Sequence, residues 1–459
     1  MKDEKSGRIL ISETSKHVGQ EILIKGWVKT RRDHGKLIFL DVRDRSGIVQ
    51  IVVNPHVSEE AYEQGQKLRS EFVLEIFGKV NKRPEKLINP KLSTGTIEIE
   101  AQKITIFSAA DVLPFDLDQP ELNLELPTLL DYRAVSLRHP KVQSIFKIQE
   151  AVMEGFRQAS QALGCTEIFV PTISYSSTEG GAEVFRVDYY DHKAFLIQSP
   201  QLYKQMMVPV FERVYLTSHA YRAEPSITTR HLSESTQLDC ELGFVAFEDL
   251  LDAVAFVGRK TLEYVSETHA DILADYGISA PKLPEKTPRF TMREAQEIIY
   301  ERTKRDSRKE QDLAPEDERE IAAYAREKFG SDLVTITHYP TKKRAFYTQP
   351  DPENPAYSLS YDLLFRGIEV LSGSKRINDY EALKKVIAER GMDTANFGMY
   401  LQAFKYGMPP HGGFSFGLER MTMKLLNLGN IREASLFPRD MERIDERLSI
   451  HTKVSNTKK

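Results

Sequence analysis

A chain of 459 residues with 41% hydrophobic and 28% charged side chains has room for two or three domains and an ordinary globular composition. Its formal net charge of −4 excludes a protein that grips nucleic acid over its whole surface, and no run of about 18 apolar residues offers a membrane span. Its two cysteines, Cys165 and Cys240, are too few and too far apart for a zinc knuckle or a disulfide framework, and they suit a reducing compartment.

The charged start, Met1-Lys2-Asp3-Glu4-Lys5, lacks the apolar core of a secretory leader, so a cytoplasmic location is expected. Charge is uneven along the chain. Residues 1–105 carry 19 basic and 15 acidic side chains, near +4, which leaves the remainder near −8. A mildly basic front domain fits local contact with a phosphate backbone.

The first elements are β-rich. Ile22–Arg32, Lys36–Arg43 and Ile48–Val53 read as strands, broken by Asp33-His34-Gly35 and Ser46-Gly47. A helix over Glu59–Leu68 follows, then strands over Phe72–Val80 and Thr96–Phe107. Three strands, a helix and two strands is the order of a five-stranded OB barrel over residues 1–108. Trp27, the only tryptophan, is expected in its core. Residues 109–135, with Pro114, Pro120 and Pro127, read as an ordered hinge. Residues 136–459 then alternate amphipathic helices with β-rich runs at Ala194–Ile197, Arg213–Ala223, Thr236–Ala246 and Tyr361–Leu371. The spacing is not that of regular βαβ units, which predicts an α+β domain: an antiparallel sheet flanked by helices, with a small insertion around 280–345. Glu301–Arg326 reads as exposed helix, and the tail after Arg443 as frayed.

No Walker A loop and no Gly-x-Gly-x-x-Gly after a strand is present, so neither a P-loop nor a Rossmann nucleotide site is expected. Instead, arginines and carboxylates interrupt β-rich segments, where charge is normally unwelcome. One segment is Ala220-Tyr221-Arg222-Ala223-Glu224, followed by Thr229-Arg230-His231-Leu232. Another is Gly412-Gly413-Phe414-Ser415-Phe416-Gly417-Leu418-Glu419-Arg420, running into an apolar helix. Upstream of both, Pro171 closes the run from Gly164 to Val170. On residues alone, each charge could be a surface salt bridge. Gln198-Ser199-Pro200-Gln201-Leu202-Tyr203-Lys204 reads as a helix start with Ser199 as cap.

In chain order these segments resemble the three signature motifs of class II aminoacyl-tRNA synthetases. The likeness covers nearly the whole chain. It extends to the aspartyl/asparaginyl subgroup, and most closely to archaeal and eukaryotic aspartyl-tRNA synthetases, which lack a large bacterial insertion. The resemblance implies an aspartate–tRNA ligase that uses ATP and Mg²⁺, takes L-aspartate and tRNA-Asp, and works as a homodimer joined near Pro171. Activation then has an already ionised carboxylate attack the α-phosphorus of ATP. The protein must supply in-line positioning and positive charge rather than a base.

Carried onto this chain, the resemblance makes Arg222, Glu224 and Arg420 the catalytic set. Arg222 would hold the α-phosphate, and Arg420 the γ-phosphate and the adenine face. Arg230 and His231 would fold over ATP, and Asp362 and Glu369 would hold Mg²⁺, a hard cation. Gln201, Lys204, Asp239, Ser372 and Arg376 would form the amino-acid pocket, with Asp239 orienting both Lys204 and Arg376. A substrate carboxylate would pair those two cations, whereas asparagine would leave them under-compensated. Ser176-Ser177-Thr178-Glu179-Gly180-Gly181 resembles a mobile loop whose Glu179 meets the substrate ammonium. Arg32, Phe39 and Gln50 would read the anticodon, with Phe39 stacking on a base.

Two positions depart from the family pattern. Ser235 stands where many relatives place an adenine-stacking phenylalanine. Lys29 does not decide between an enzyme that charges tRNA-Asp alone and one that also charges tRNA-Asn. An asparagine–tRNA ligase on the same scaffold and a non-aminoacylating paralogue are the alternative readings.

Overall fold

The structure, a computed structural model, describes residues 7–175, 183–224 and 228–444. Two compact units meet in sequence at His139 and Pro140.

In the first unit, β1 (Glu21–His34), β2 (Leu37–Asp44), β3 (Gly47–Val53), β4 (Val73–Lys82) and β5 (Ile97–Ser108) close a barrel in the order β1-β2-β3-β5-β4. Alternation drives the closure: Ile22, Ile24 and Val28 of β1 and Ile38, Leu40 and Val42 of β2 are all buried. Gly26 is required where β1 crosses β2, because a Cβ there would run into the carbonyl oxygen of Arg43. Helix α1 (Glu59–Lys67) follows β3, with Ser58 accepting from the Ala61 amide as its cap. It lays Ala61 and Gly65 on the barrel.

The expectation that Trp27 belongs to the core is overturned. Its ring is 36% exposed and lies under the Arg43 guanidinium at 5.1 Å. The reason is parity: Ile24 and Val28 point inward, so residue 27 points outward. After the barrel, residues 109–125 carry no helix or strand, and two short helices, Leu126–Asp131 and Arg133–Ser136, follow.

The second unit is built on an eight-stranded sheet in the order β12-β13-β14-β15-β16-β11-β10-β6. Its strands are β6 (Thr166–Glu167), β10 (Arg213–Tyr221), β11 (Glu234–Gly243), β12 (Arg289–Thr291), β13 (Leu333–Thr337), β14 (Ser360–Phe365), β15 (Ile368–Lys375) and β16 (His411–Gly417). The central strands pair antiparallel, as expected. Both edges depart from that expectation: β6–β10 and β12–β13 are parallel. These edge strands have only two and three residues, and each reaches its partner through a long crossover. A separate small sheet joins β7 (Ile173–Ser174), β8 (Arg186–Tyr189) and β9 (His192–Leu196) in the order β7-β9-β8.

Helices α2 (Pro140–Ala162), α3 (Gln201–Met206) and α4 (Phe247–Thr268) come next in chain order. Leu238, Cys240 and Leu242 of β11, with Phe414 and Phe416 of β16, pack with Val152, Phe156, Val254 and Val257 of α2 and α4 into the main core. Gly155 allows the two long helices to approach, since a Cβ there would come within 3.0 Å of the Thr261 Cα. Strand alternation turns Asp239, Glu241, Gly413 and Ser415 to the opposite face.

The stretch Glu301–Arg326 is not one exposed helix. Helix α5 (Met292–Thr303) ends at Lys304 in left-handed backbone (φ 62), and α6 (Pro315–Phe329) restarts at a proline and buries Ile321, Ala322 and Ala325. Helices α7 (Tyr380–Glu389), α8 (Gly398–Lys405) and α9 (Leu418–Leu425) follow toward the C-terminal end of this unit. The expected fraying after Arg443 lies almost wholly outside the described residues.

Candidate active site

On the sheet face away from α2 and α4 lies a cavity of about 480 Å³. Seven cationic side chains line it (Lys204, Arg222, Arg230, Lys343, Arg344, Arg376 and Arg420) against three carboxylates (Asp239, Glu369 and Glu419). Gln201, His231 and Ser372 also belong to its wall, so ten of the expected site residues meet in one place. Asp362 and Glu224 are not among the lining residues. Glu224 sits close enough to His231 for its charge to favour the imidazolium. Glu179 lies outside the described residues.

One end of the cavity is a network of buried charge. Lys204 arrives on α3, whose cap position falls on Pro200 rather than on the expected Ser199. Ser199 instead lines the cavity one residue further out. The Lys204 ammonium is fully buried. It donates to Asp239 Oδ1 at 2.8 Å and to the carbonyls of Phe414 and Cys240 at 3.1 and 3.3 Å, and lies 3.4 Å from Glu241 Oε2.

Arg376 does not bond to Asp239, contrary to expectation. Its Nε donates to Glu241 Oε1 at 2.9 Å, one terminal nitrogen to Ser374 at 2.6 Å, and the other to Gly413 O at 3.0 Å and Gln201 Oε1 at 3.2 Å. Glu241 is two residues beyond Asp239 on the same strand face, so strand alternation presents both acids to Lys204 and Glu241 alone to Arg376. Of the five guanidinium hydrogens, one remains unspent on the protein.

Burial pushes the Asp239 carboxyl up despite Lys204, whereas for Glu241 the nearby Arg376 and Lys204 outweigh burial and hold it below its ordinary value. His411 is pushed down to about 4 by burial. Its partners, Pro409 O at 2.9 Å and the Gln205 amide nitrogen at 2.9 Å, fit a neutral ring with the proton on Nδ1.

The other end is built differently. Arg420 donates to the backbone carbonyl of Glu369 at 3.0 Å and stands 3.6 Å from its carboxylate. Burial and the Asp362 charge push Glu369 up to about 7. Glu419, buried beneath the cavity, accepts from the Thr236 amide at 3.0 Å and is likewise raised to about 7 by burial. Asp362 is gripped in bidentate fashion by Arg344 at 2.7 and 3.1 Å, with Arg344 stacked 3.9 Å over Tyr339 and bonded to Ser372. Arg230 reaches Glu318 at 3.2 Å, and His231 meets Thr228 at 2.7 Å. Burial lowers the His231 pKa. Arg222 makes no ion pair among the described residues. Ser235 is a small wall residue here, leaving Arg420 as the broad surface beside it.

The barrel unit carries its own group. Arg32 and Phe39 are directly opposite in the β1–β2 pairing, and Asp41 is opposite Gln50 in β2–β3. All stand on the outer face, opposite in parity to buried Ile38 and Leu40. Arg32 pairs with Asp41 at 2.9 Å, Gln50 bonds Glu98 at 3.1 Å, and Phe39 is half-buried. Lys29 pairs with Asp118 at 3.4 Å.

Residues 125–441 match the family of class II tRNA synthetases (D, K and N), and residues 22–107 match the OB-fold nucleic acid binding domain. The chain is 41% identical to the aspartate–tRNA(Asp/Asn) ligase of Thermus thermophilus, over 95% of this chain and 99% of that protein. It is 39% identical to the aspartate–tRNA(Asp) ligase of Pyrococcus furiosus, over 93% and 96%. The asparaginyl-tRNA synthetase of Pyrococcus horikoshii, solved with asparaginyl-adenylate, superposes with a TM-score of 0.86 at 30% identity, covering 95% of this chain and 99% of the other.

This chain is a class II tRNA synthetase.

Whether the synthetase's acidic end suits Mg²⁺ can be judged from its donors. Asp362 and Glu318 are close enough to Glu369 for their charges to raise its pKa, an oxygen-only set whose repulsion Arg344 and Arg420 relieve in part. Mg²⁺ commonly takes one or two carboxylates and completes its shell with water and substrate phosphates. That donor set fits. Among the described residues no group of three or more acids or histidines forms a protein-only cage.

Three functional side chains of the synthetase escaped sequence reading. Glu241 could have been found from its spacing of two from Asp239 in a β-rich run. Arg344 and Glu318 carry no local signal: each lies in a charged stretch of the insertion that reads as solvated surface.

Proposed function

We propose that this synthetase is an aspartate–tRNA ligase, forming aspartyl-adenylate from L-aspartate and ATP and passing the aspartyl group to the 3′ end of tRNA-Asp. The observation that carries the reading is the buried pair Lys204 and Arg376 within the same cavity as Arg222, Arg230 and Arg420. Glu241 is 0% exposed and lies behind Arg376 rather than in the cavity wall. It orients the guanidinium and leaves one N–H for the substrate side chain. Relatives at 38–41% identity that bear aspartate–tRNA ligase names support the same choice.

In this reading the substrate's side-chain carboxylate is received by Arg376, with the Lys204 charge behind it and Ser372 and Gln201 beside it. Its α-carboxylate faces the α-phosphate held by Arg222. The nucleophile is already ionised, so no residue need take a proton. Rate comes from holding the attacking oxygen in line and from the guanidinium charge around the phosphates. Arg420, His231 and Arg230 hold the nucleotide bent, and Glu224 acts beside His231. Glu179 would meet the substrate ammonium. Asp362 and Glu369 would hold Mg²⁺, which when bound neutralises phosphate charge. Arg32, Phe39 and Gln50 would receive the anticodon, and a second copy of the chain would complete a homodimer.

A second reading, asparagine–tRNA ligase, draws on one observation. Lys204 and Arg376 are already balanced by Asp239 and Glu241, so a neutral substrate side chain would leave no cation bare. ATP–pyrophosphate exchange with each amino acid separates the two. Exchange driven by aspartate and not by asparagine is the expected result, and the reverse would sink the proposal. Charging tRNA-Asp and tRNA-Asn transcripts side by side then determines whether one or both tRNAs are substrates.

A further inference from the structure

Apart from the catalytic cavity, the second unit holds a basin of about 370 Å³ lined by Arg319 and Arg326 of α6, Arg366 of the β14–β15 turn, Lys424 near the end of α9, and Asp332. Gly277–Ser279 closes one side. Four cations therefore face one carboxylate.

Two of the cations are fixed by that carboxylate. Arg366 donates from Nε to Asp332 Oδ2 at 3.1 Å and from a terminal nitrogen to Ser279 O at 2.9 Å, and Arg326 lies 3.4 Å from Asp332 Oδ1. The other two have no carboxylate of their own within the basin, although Glu316, one turn before Arg319 and outside the basin wall, lies near enough to feel its charge. Among the described residues, neither Arg319 nor Lys424 has a recorded hydrogen bond or ion pair. Arg319 is exposed, with its backbone and stem clamped against Gly367, where a Cβ would come within 3.0 Å of both. Lys424 is half-buried, and burial followed by the charges of Arg230, Arg366 and Arg319 lowers its pKa.

Gathering four cations around one acid is unfavourable unless an anion joins them. Small residues at Ala322 and Ala323 keep the floor open. Guanidinium forks match carboxylate and phosphate alike, and a phosphate brings more oxygens and more charge to share among several cations.

We propose that this basin is a phosphate-binding site outside the catalytic cavity, with Arg319 and Lys424 as its unspent donors. Two sources carry that chemistry: the backbone of a bound tRNA, and free pyrophosphate leaving the catalytic cavity, whose Arg230 lies near enough to Lys424 for its charge to be felt there. The tRNA source rests on the proposed function, and the pyrophosphate source does not.

The test uses the full chain with Arg319→Gln and Lys424→Gln, singly and together. tRNA affinity is measured across a salt series, and pyrophosphate binding by calorimetric titration, which counts sites per chain. Loss of two phosphate contacts lowers the slope of log affinity against log salt by about 1.5 to 2 and weakens tRNA binding about tenfold, with aspartate activation intact. That result identifies RNA phosphate as the ligand. Unchanged tRNA binding with loss of a second pyrophosphate site identifies the free anion. Neither change, in variants that still activate aspartate, overturns the proposal. Arg319→Gln breaks no recorded bond, so it keeps the test open if the Lys424 variant fails to fold, and Arg319→Lys should restore most of the salt slope.

Discussion

The two ends of the catalytic cavity handle buried charge in opposite ways. Around Lys204 and Arg376 each cation has a carboxylate at 2.8–2.9 Å, and nearly every donor is spent. Around Glu369 the acids Asp362 and Glu318 repel it although each has an arginine beside it, and Glu369 is raised to about 7; Glu419, buried with no cation paired to it among the described residues, is raised likewise. The first end is satisfied by the chain itself and specifies a shape. The second holds unrelieved repulsion and is completed by what it binds. A site can thus be pre-organised for one ligand and left short of a cation for another.

The largest expected effect breaks the satisfied end. Arg376→Met should lower aspartate-dependent pyrophosphate exchange by about 10⁴-fold, because the substrate carboxylate loses its partner in a buried site. A loss below tenfold would remove Arg376 from the pocket's function. Next comes Glu241→Gln, which leaves Arg376 short of its counter-charge. Urea unfolding should record a loss of about 3–5 kcal/mol, and an unchanged midpoint would mean the pair is not buried as described.

The acidic end should respond with the opposite sign. Glu419 has a folded pKa near 7 against an ordinary 4.5. Between those values the folded chain keeps a proton that the unfolded chain has lost, so stability falls as pH rises from 4.5 to 7 and is flat above. Glu419→Gln should remove about 2–3 kcal/mol of that fall, read from unfolding midpoints at pH 5 and pH 8. Glu369→Gln should give the smallest shift: at pH 8 the fold gains no more than about 1 kcal/mol, since a third of the side chain is exposed. Activity should drop at the same time and lose its response to Mg²⁺. A variant that is less stable at pH 8 than the parent would contradict the repulsion argued for this end.

Legibility followed how local each signal was. The barrel strands could be read within a residue or two because alternation and turn chemistry are short-range. The same parity, applied one step further, would have turned Trp27 outward; its uniqueness and size misled where its position did not. Arg222 and Arg420 stood out as charge inside or beside β-rich segments, and Lys204 and Arg376 through likeness to the family's motifs. Arg344 and Glu318 did not, because solvated charged stretches also carry arginines and glutamates, and only the tertiary fold brings Arg344 to the cavity wall and Glu318 to Arg230.

The sequence by itself determined a five-stranded barrel followed by an antiparallel sheet flanked by helices, and most residues of one polar face. Period-two and period-3.6 patterns encode which side of an element is buried, and family motifs encode what the other side carries. Tertiary structure alone decided the pairing: Glu241 rather than Asp239 on Arg376, Arg344 on Asp362, and a cationic basin made from four separate segments. Pairing depends on distances between residues up to 135 positions apart, and no local pattern records them.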